Sequence, residues 1–320
     1  MKHAVSTNAS AATTFDWKSL IANSLATVRS DLLPTGLELP ALPQAVTEFI
    51  QKAANPDFDV AQLAAIVERD AALTFELLKH VNSAFYALRQ PLRSVHNAIV
   101  HVGINCARMH LLAVGLKAAT HAKKTRLINH RIFWNESLQK ALFAREIAKC
   151  MRLDAGLAFL SGLLQDYLLP ALTNTFDQEY LQFLSVHAGQ GTNLTTWERE
   201  TFGFDHAAAG AVFASQWHFP EDLLCGIFFH HSPETILQAS DPEFLKLFPC
   251  ALAALLPDQL RQTPNGFQSL ISVARQCKTI DLTEVCRVVD VDQMKMADGY
   301  ENPHHLSELL VAAQRTSANS

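Results

Sequence analysis

The chain has little glycine, 12 in 320 residues or about 4%, where about 7% is usual. Neither G-x-x-x-x-G-K-[ST] nor G-x-G-x-x-G occurs, and there is no nucleophile elbow. Nucleoside-triphosphate, dinucleotide-cofactor and serine-hydrolase chemistry therefore find no support. The six cysteines, Cys106, Cys150, Cys225, Cys250, Cys277 and Cys286, include no C-x-x-C pair. That spacing excludes a zinc ribbon and a disulfide framework and fits reduced core thiols in a cytoplasmic protein. No apolar run reaches the ~18 residues of a membrane span. The richest, 155–176, is interrupted by Gln165, Asp166 and Pro170, so no membrane association is expected. Residues 1–14 lack the apolar block of a secretory signal and carry too few large apolar groups to order, so they are read as a disordered tail.

What is present is a core-forming composition, 49% apolar and 18% charged. The dominant period is helical. Asp16 opens a run in which Leu20, Ile21, Leu25, Val28 and Leu32 recur at three- and four-residue spacing up to Pro34 and Gly36, giving an N-terminal helix within 15–37. Further stripes are Val46, Phe49 and Ile50, then Leu63, Ile66 and Val67, then Leu73, Leu77, Leu78 and Val81. Asp59, Asp70, Ser94 and Asp205 stand where helix caps belong, and Gly103 is placed to close Val95 to Val102. Phe133 to Arg152 reads as a long amphipathic helix and Ala155 to Leu169 as a buried one. His206 to Trp217 and a run from Pro220 to His231 follow. No alternating strand pattern occurs, so the fold class is all-α. After residue 240, prolines punctuate short helical segments at 244–256, 267–274 and 306–313, expected to pack on the main body.

Two constellations stand out. From Leu77 to Asn135 there is no Asp or Glu but nine basic residues: Lys79, Arg89, Arg93, Arg108, Lys117, Lys123, Lys124, Arg126 and Arg131. These are either solvated helix edges or a docking face for an acidic or phosphate-bearing partner. A net charge of −5 and the lack of a recognised motif weigh against nucleic acid. The second constellation is Glu136, Asp166, His206 and the pair His230-His231, whose side chains suit a divalent metal if several helices bring them together. Spacing alone does not bring them together, and structural histidines are the alternative.

Leu39-Pro40-Ala41-Leu42-Pro43, the run Ile66 to Thr74 and LLKHVNSAFY at 77–86 lead to SVHNAIVHVG at 94–103. Phe133 to Ser137, FLSGLLQD at 159–166, His206, Trp217, Pro220 and His230-His231 then follow in order. Together they resemble the HDOD family of bacterial signalling modules over residues 38–232. The resemblance implies a two-lobed helical bundle, with lobes at about 38–122 and 127–232 and a helical extension at 233–320. The family is related to the HD metal-dependent phosphohydrolases. By that resemblance Glu136 takes the place of the first metal-binding His and Gln165 that of the His in the His-Asp pair. Of the matching set Asp166, His206, His230 and His231 remain. A neutral amide is a poor ligand where a transition metal prefers imidazole or carboxylate. The expectation is therefore a degenerate site with no resident metal or other cofactor and no catalysis, in a regulatory protein that binds signalling proteins, linked to cyclic-dinucleotide pathways. Lys79, Arg89, Arg93, Arg108 and Lys117 are the candidate partner surface. The alternatives are a residual metal-dependent phosphohydrolase and a nucleotide sensor that uses the degenerate pocket.

Overall fold

The structure is a computed structural model that describes residues 15–29, 31–33, 42–53, 55, 58–83, 86, 88–121, 125–239, 241–297 and 305–318. The expectations for the 1–14 tail, Pro34, Gly36, Leu39-Pro40-Ala41, Ala84-Phe85, Lys123 and Lys124 fall outside them. Among the described residues there is no strand, and the chain is all-α.

Asp16 caps α1 (Trp17–Ala26) by accepting from Ser19 N. The helix is shorter than its spacing suggests. Ser24 Oγ and Thr27 Oγ1 donate to the Leu20 and Ser24 carbonyls at 2.9 and 2.7 Å, and such hydroxyls compete with the backbone ladder. Five helices then form the first lobe: α2 (Gln44–Ala53), α3 (Val60–Glu68), α4 (Ala71–Val81), α5 (Val95–Val102) and α6 (Ile104–His121). Asp59, Asp70 and Ser94 cap α3, α4 and α5 as the sequence indicates. The three apolar stripes of α2, α3 and α4 enter one core, with Leu78 only partly buried. Gly103, at φ +86°, ends α5 and lets α6 leave at a 114° bend.

The second lobe is built around α7 (His130–Met151), which starts three residues before Phe133 because Asn129 accepts from the Arg131 and Ile132 amides. It packs most closely on α8 (Ala155–Leu164). A Cβ on Gly162 would meet Lys140 O at 2.9 Å and Ala141 Cα at 3.0 Å, so only glycine admits this crossing. The buried helix expected to run to Leu169 breaks into a turn at 165–168 before α9 (Leu169–Thr175). Pro170 is the cause: its ring excludes the helical carbonyl four residues earlier, at Asp166. The Asp166 carboxyl is thereby set in the turn that follows α8. Next come α10 (Asp177–Gln182), α11 (Leu194–Phe202), α12 (His206–Gln216) and α13 (Glu221–Phe229), with α1 packed on α12 and α13.

Five more helices close the chain: α14 (Pro233–Gln238), α15 (Phe248–Ala253), α16 (Gly266–Ala274), α17 (Leu282–Met296) and α18 (Leu306–Ala318). α15 and α17 pack against α7. α17 has no counterpart among the expected segments, because charged residues interrupt its buried stripe of Val285, Cys286 and Val289. Its Asp292 takes a salt bridge from Arg145 at 2.6 Å, and its Gln293 accepts from Gln139 at 3.0 Å. Among the described residues, the helical stretch 155–175, with its turn at 165–168, is apolar and long enough to cross a membrane, and 83% of its most apolar window is buried inside this fold.

Candidate functional site

Four of the expected residues converge. Asp166 comes from the turn after α8, His206 from the start of α12, and His230 and His231 from the end of α13; one donor atom of each lies within 4.8 Å of the others. His206 Nε2 is 3.0 Å from His231 Nε2 and 3.3 Å from His230 Nε2. Asp166 Oδ1 is 3.4 Å from His206 Nε2 and 3.5 Å from His230 Nε2, charge contacts rather than hydrogen bonds, and this oxygen has no hydrogen-bond partner.

The imidazoles are aimed from behind. His206 Nδ1 donates to Glu198 Oε2 at 2.7 Å, and its backbone N–H reaches the same oxygen at 2.9 Å. Tyr180 fixes that carboxylate by donating to Oε1 at 2.7 Å. His230 Nδ1 donates to the Ile227 carbonyl at 2.6 Å. Both rings therefore present Nε2 to Asp166, the outer support that metal-binding histidines receive.

Against this stands a cation supplied by the protein. Lys140 Nζ is 2.8 Å from Asp166 Oδ2 and 2.8 Å from Asp258 Oδ2, and its side chain is 3% exposed. Burial by itself would weaken the Lys140 charge, but the two carboxylates hold its pKa above the ordinary value. Burial likewise opposes ionisation of Asp166, but Lys140 and the His206 and His230 contacts keep it well below the usual carboxylate range. For His206, burial is outweighed by Glu198 and Asp166, and its pKa rises to about 10. His231 moves well downward through burial and the neighbouring His230 and His206. The cluster thus holds an ammonium and an imidazolium among three carboxylates.

Gln165 and Glu136 stay outside the four-donor group. Gln165 spends its amide on the support: Nε2 donates to Asp166 Oδ2 at 3.2 Å and Oε1 accepts from Cys250 Sγ at 3.2 Å. Glu136 sits one turn before Lys140 on α7 and accepts from Gln259 N and Nε2 at 3.3 and 3.4 Å. Burial, with Asp258 nearby, raises its pKa to about 8. Lys140, Glu198 and Asp258 are the members that sequence reasoning missed. Lys140 had a signal: it lies in phase with buried Phe133, Ser137 and Ala144, so α7 turns a cation inward.

A tetrahedral ion with bonds of about 2.0–2.1 Å sets its donors about 3.3–3.4 Å apart; Asp166 Oδ1, His206 Nε2 and His230 Nε2 lie 3.3–3.5 Å from one another, and His231 Nε2 lies 3.0 Å from His206 Nε2. An ion at that place would take all four positions from protein, with the second Asp166 oxygen held by Lys140. Asp166, His206 and His230 are 3%, 1% and 0% exposed; His231 is half-buried. The cleft lined by Glu136, Lys140, Asp166 and Asp258 has about 10 Å³ of free volume, on the order of the room that a single water needs.

The basic candidates are dispersed. Lys79 and Lys117 line a cavity between the lobes. Arg89 and Arg93 are exposed in the connection before α5. Arg108 is half-buried, its pKa lowered by burial and partly restored by Asp222 and Glu221 at the start of α13.

The HDOD domain family profile matches residues 39–233, more than half of the chain. The protein belongs to the HDOD family. A Treponema pallidum (strain Nichols) protein of uncharacterized function is 27% identical over 199 residues, 61% of this chain, which spans only 38% of that relative. A Geobacter sulfurreducens HDOD domain protein of unknown function superposes with TM-score 0.58 at 18% identity over 94% of both chains. A Shewanella amazonensis SB2B protein bearing the provisional name phosphohydrolase gives 0.60 at 23% identity, over 83% of this chain and 98% of that one. A Marinobacter aquaeolei VT8 protein provisionally named a signal transduction protein gives 0.55 at 20% identity, over 88% and 65%. At these identities the superpositions establish the shared fold.

Proposed function

We propose that the protein is a non-catalytic signal-transduction module that acts by binding other proteins, its His-Asp cluster serving as a cross-tie between helices. The observation that carries this reading is Lys140, whose ammonium sits 2.8 Å from Asp166 in a closed interior. Hydrolysis at a metal centre needs a position for water or substrate, and catalytic zinc keeps one open. Here Asp166, His206, His230 and His231 would fill the sphere of one tetrahedral ion, and Lys140 pairs with the oxygen that a second ion would need. With or without an ion, the cluster links the turn after α8 to the ends of α12 and α13.

The second reading, a residual phosphohydrolase, has one observation in its favour: four donors at metal spacing with supported imidazoles. A bound ion would supply Lewis acidity and an activated water, and the residues would have to open a path to it. The deciding experiment is hydrolysis of bis(p-nitrophenyl) phosphate and a panel of cyclic dinucleotides with Mn²⁺, Fe²⁺, Zn²⁺ or Mg²⁺, with Asp166→Ala as matched control. Equal background rates in both proteins are expected. Turnover present in the wild type and lost in the variant would replace the regulatory reading with the hydrolase.

A further inference from the structure

A second feature lies apart from the His-Asp cluster, on the outside of the first lobe. Val95, Ala98 and Ile99 turn one side of α5 inward and are 1%, 0% and 0% exposed. At about 100° per residue the opposite side carries His96, Asn97, Val100 and His101. All four are exposed, Val100 at 61%. A branched apolar side chain is thus held in water at the centre of a short helix face, between two imidazoles. The connection that leads into α5 continues this exposed run with Arg89, Pro91 and Arg93. Asn82, at the end of α4, fixes that connection: its Nδ2 donates to the Leu92 carbonyl at 2.8 Å and its Oδ1 accepts from the Leu92 amide at 2.7 Å. Two bonds to one residue, with Pro91 beside it, order the backbone that carries the arginines before any partner arrives, so that docking there loses less entropy.

The charge on this strip is of one sign. Among the described residues neither Arg89 nor Arg93 makes an ion pair or a hydrogen bond through its side chain. No Asp or Glu occurs between residues 77 and 135, so no exposed group from 89 to 101 is a carboxylate. An arginine fork matches the oxygens of a carboxylate or a phosphate. The number of forks decides between them. Clusters that recognise anionic lipid carry about 4–8 basic residues, and duplex DNA is held through about 6–10 phosphate contacts in a typical complex. Two guanidiniums leading to an apolar side chain fit neither and suit a protein surface with a few carboxylates around an apolar residue.

We propose that the strip from Arg89 to His101 docks an acidic segment of another protein, whose carboxylates pair with Arg89 and Arg93 and whose apolar side chain covers Val100. The proposal rests on the protein-binding reading above and narrows it. Of the five basic candidates only Arg89 and Arg93 belong to this surface, since Lys79 and Lys117 line the inter-lobe cavity and Arg108 is half-buried beside the start of α13.

The test pans a random peptide library against the immobilised full chain, in parallel with Arg89→Glu/Arg93→Glu and with a charge-matched control, Arg275→Glu/Lys278→Glu, at exposed positions just after α16. Enriched peptides are synthesised and titrated by fluorescence anisotropy at low and at 0.5 M salt, beside duplex DNA and vesicles containing phosphatidylglycerol. The expected result is enrichment of Asp and Glu around a large apolar residue. Affinity should fall with salt, fall about tenfold or more in Arg89→Glu/Arg93→Glu, and stay unchanged in the control. Val100→Ser should weaken the same peptides several-fold. Exchanging the peptide acids for lysines should restore binding to Arg89→Glu/Arg93→Glu, which a misfolded variant would not allow. Peptides without acidic bias, or acidic peptides indifferent to the strip, overturn the proposal and leave the protein-binding reading standing. DNA or vesicles bound more tightly through Arg89 and Arg93 also overturn it, as does self-association of the chain that the same variant abolishes. No enriched peptide at all overturns both readings.

Discussion

Lys140→Met removes the ammonium while keeping a side chain of similar length on α7. In the wild type that ammonium makes two contacts of 2.8 Å, to Asp166 and Asp258, and is 3% exposed. Breaking a buried pair by deleting one partner costs about 3–5 kcal/mol, because a charge is left in the interior without compensation. Two carboxylates are stranded here, so the upper part of that range is expected. At about 2 °C per kcal/mol, the low end for large domains, the melting temperature should fall by roughly 6–10 °C. Calorimetry and urea unfolding at pH 7 measure it. Adding Asp166→Asn should give back part of the loss, since one stranded charge then becomes a neutral amide; the double variant is less destabilised than the sum of the singles. A loss below about 1 kcal/mol, or strict additivity of the two substitutions, would refute the argument that Lys140 neutralises Asp166.

Three further outcomes follow from the same geometry. Glu136 has its pKa raised to about 8, so its contribution to stability is full below about 4.5 and is lost as pH rises through 8. Glu136→Gln should flatten the fall in unfolding free energy between pH 4.5 and 8, and an unchanged slope would contradict the role of burial. Glu198→Gln removes the carboxylate paired with His206 at 2.7 Å, so the His206 pKa should drop from about 10 toward neutrality in histidine-selective NMR. Because that pKa is raised, the wild-type His206 contribution is full below about 6.5 and is lost as pH climbs through 10; the variant should lose this alkaline limb. Gly162→Ala pushes a methyl against Lys140 O at 2.9 Å and Ala141 Cα at 3.0 Å, and overpacking of this kind costs about 1–3 kcal/mol by urea unfolding.

Much of the helical framework was legible because local signals agree with the packing. Asp59, Asp70, Ser94 and Asp205 cap where they stand, and the stripes of α2, α3 and α4 are buried. α1 was overextended because spacing is blind to Ser24 and Thr27 capturing carbonyls. α17 was missed because its apolar stripe is broken by groups, such as Asp290 and Asp292, whose partners lie far along the chain. The site divides in the same way. Asp166, His206, His230 and His231 stand out by donor chemistry and again in the family order, and long-range packing brings them together. Gln165 and Glu136 were named with them but serve other contacts. Lys140 was overlooked because a cation on an apolar face reads as an exception until Asp258, 118 residues later, is seen beside it.

On this reading the Lys140 ammonium occupies the place where a second catalytic ion would sit. Titration of Zn²⁺ and Mn²⁺ into chelator-treated protein, followed by calorimetry in buffers of different ionisation enthalpy, addresses it directly. No more than one equivalent is expected to bind, with proton release as the ion displaces the His206 proton, and no hydrolysis at saturation. Two equivalents bound with phosphodiester turnover would contradict it.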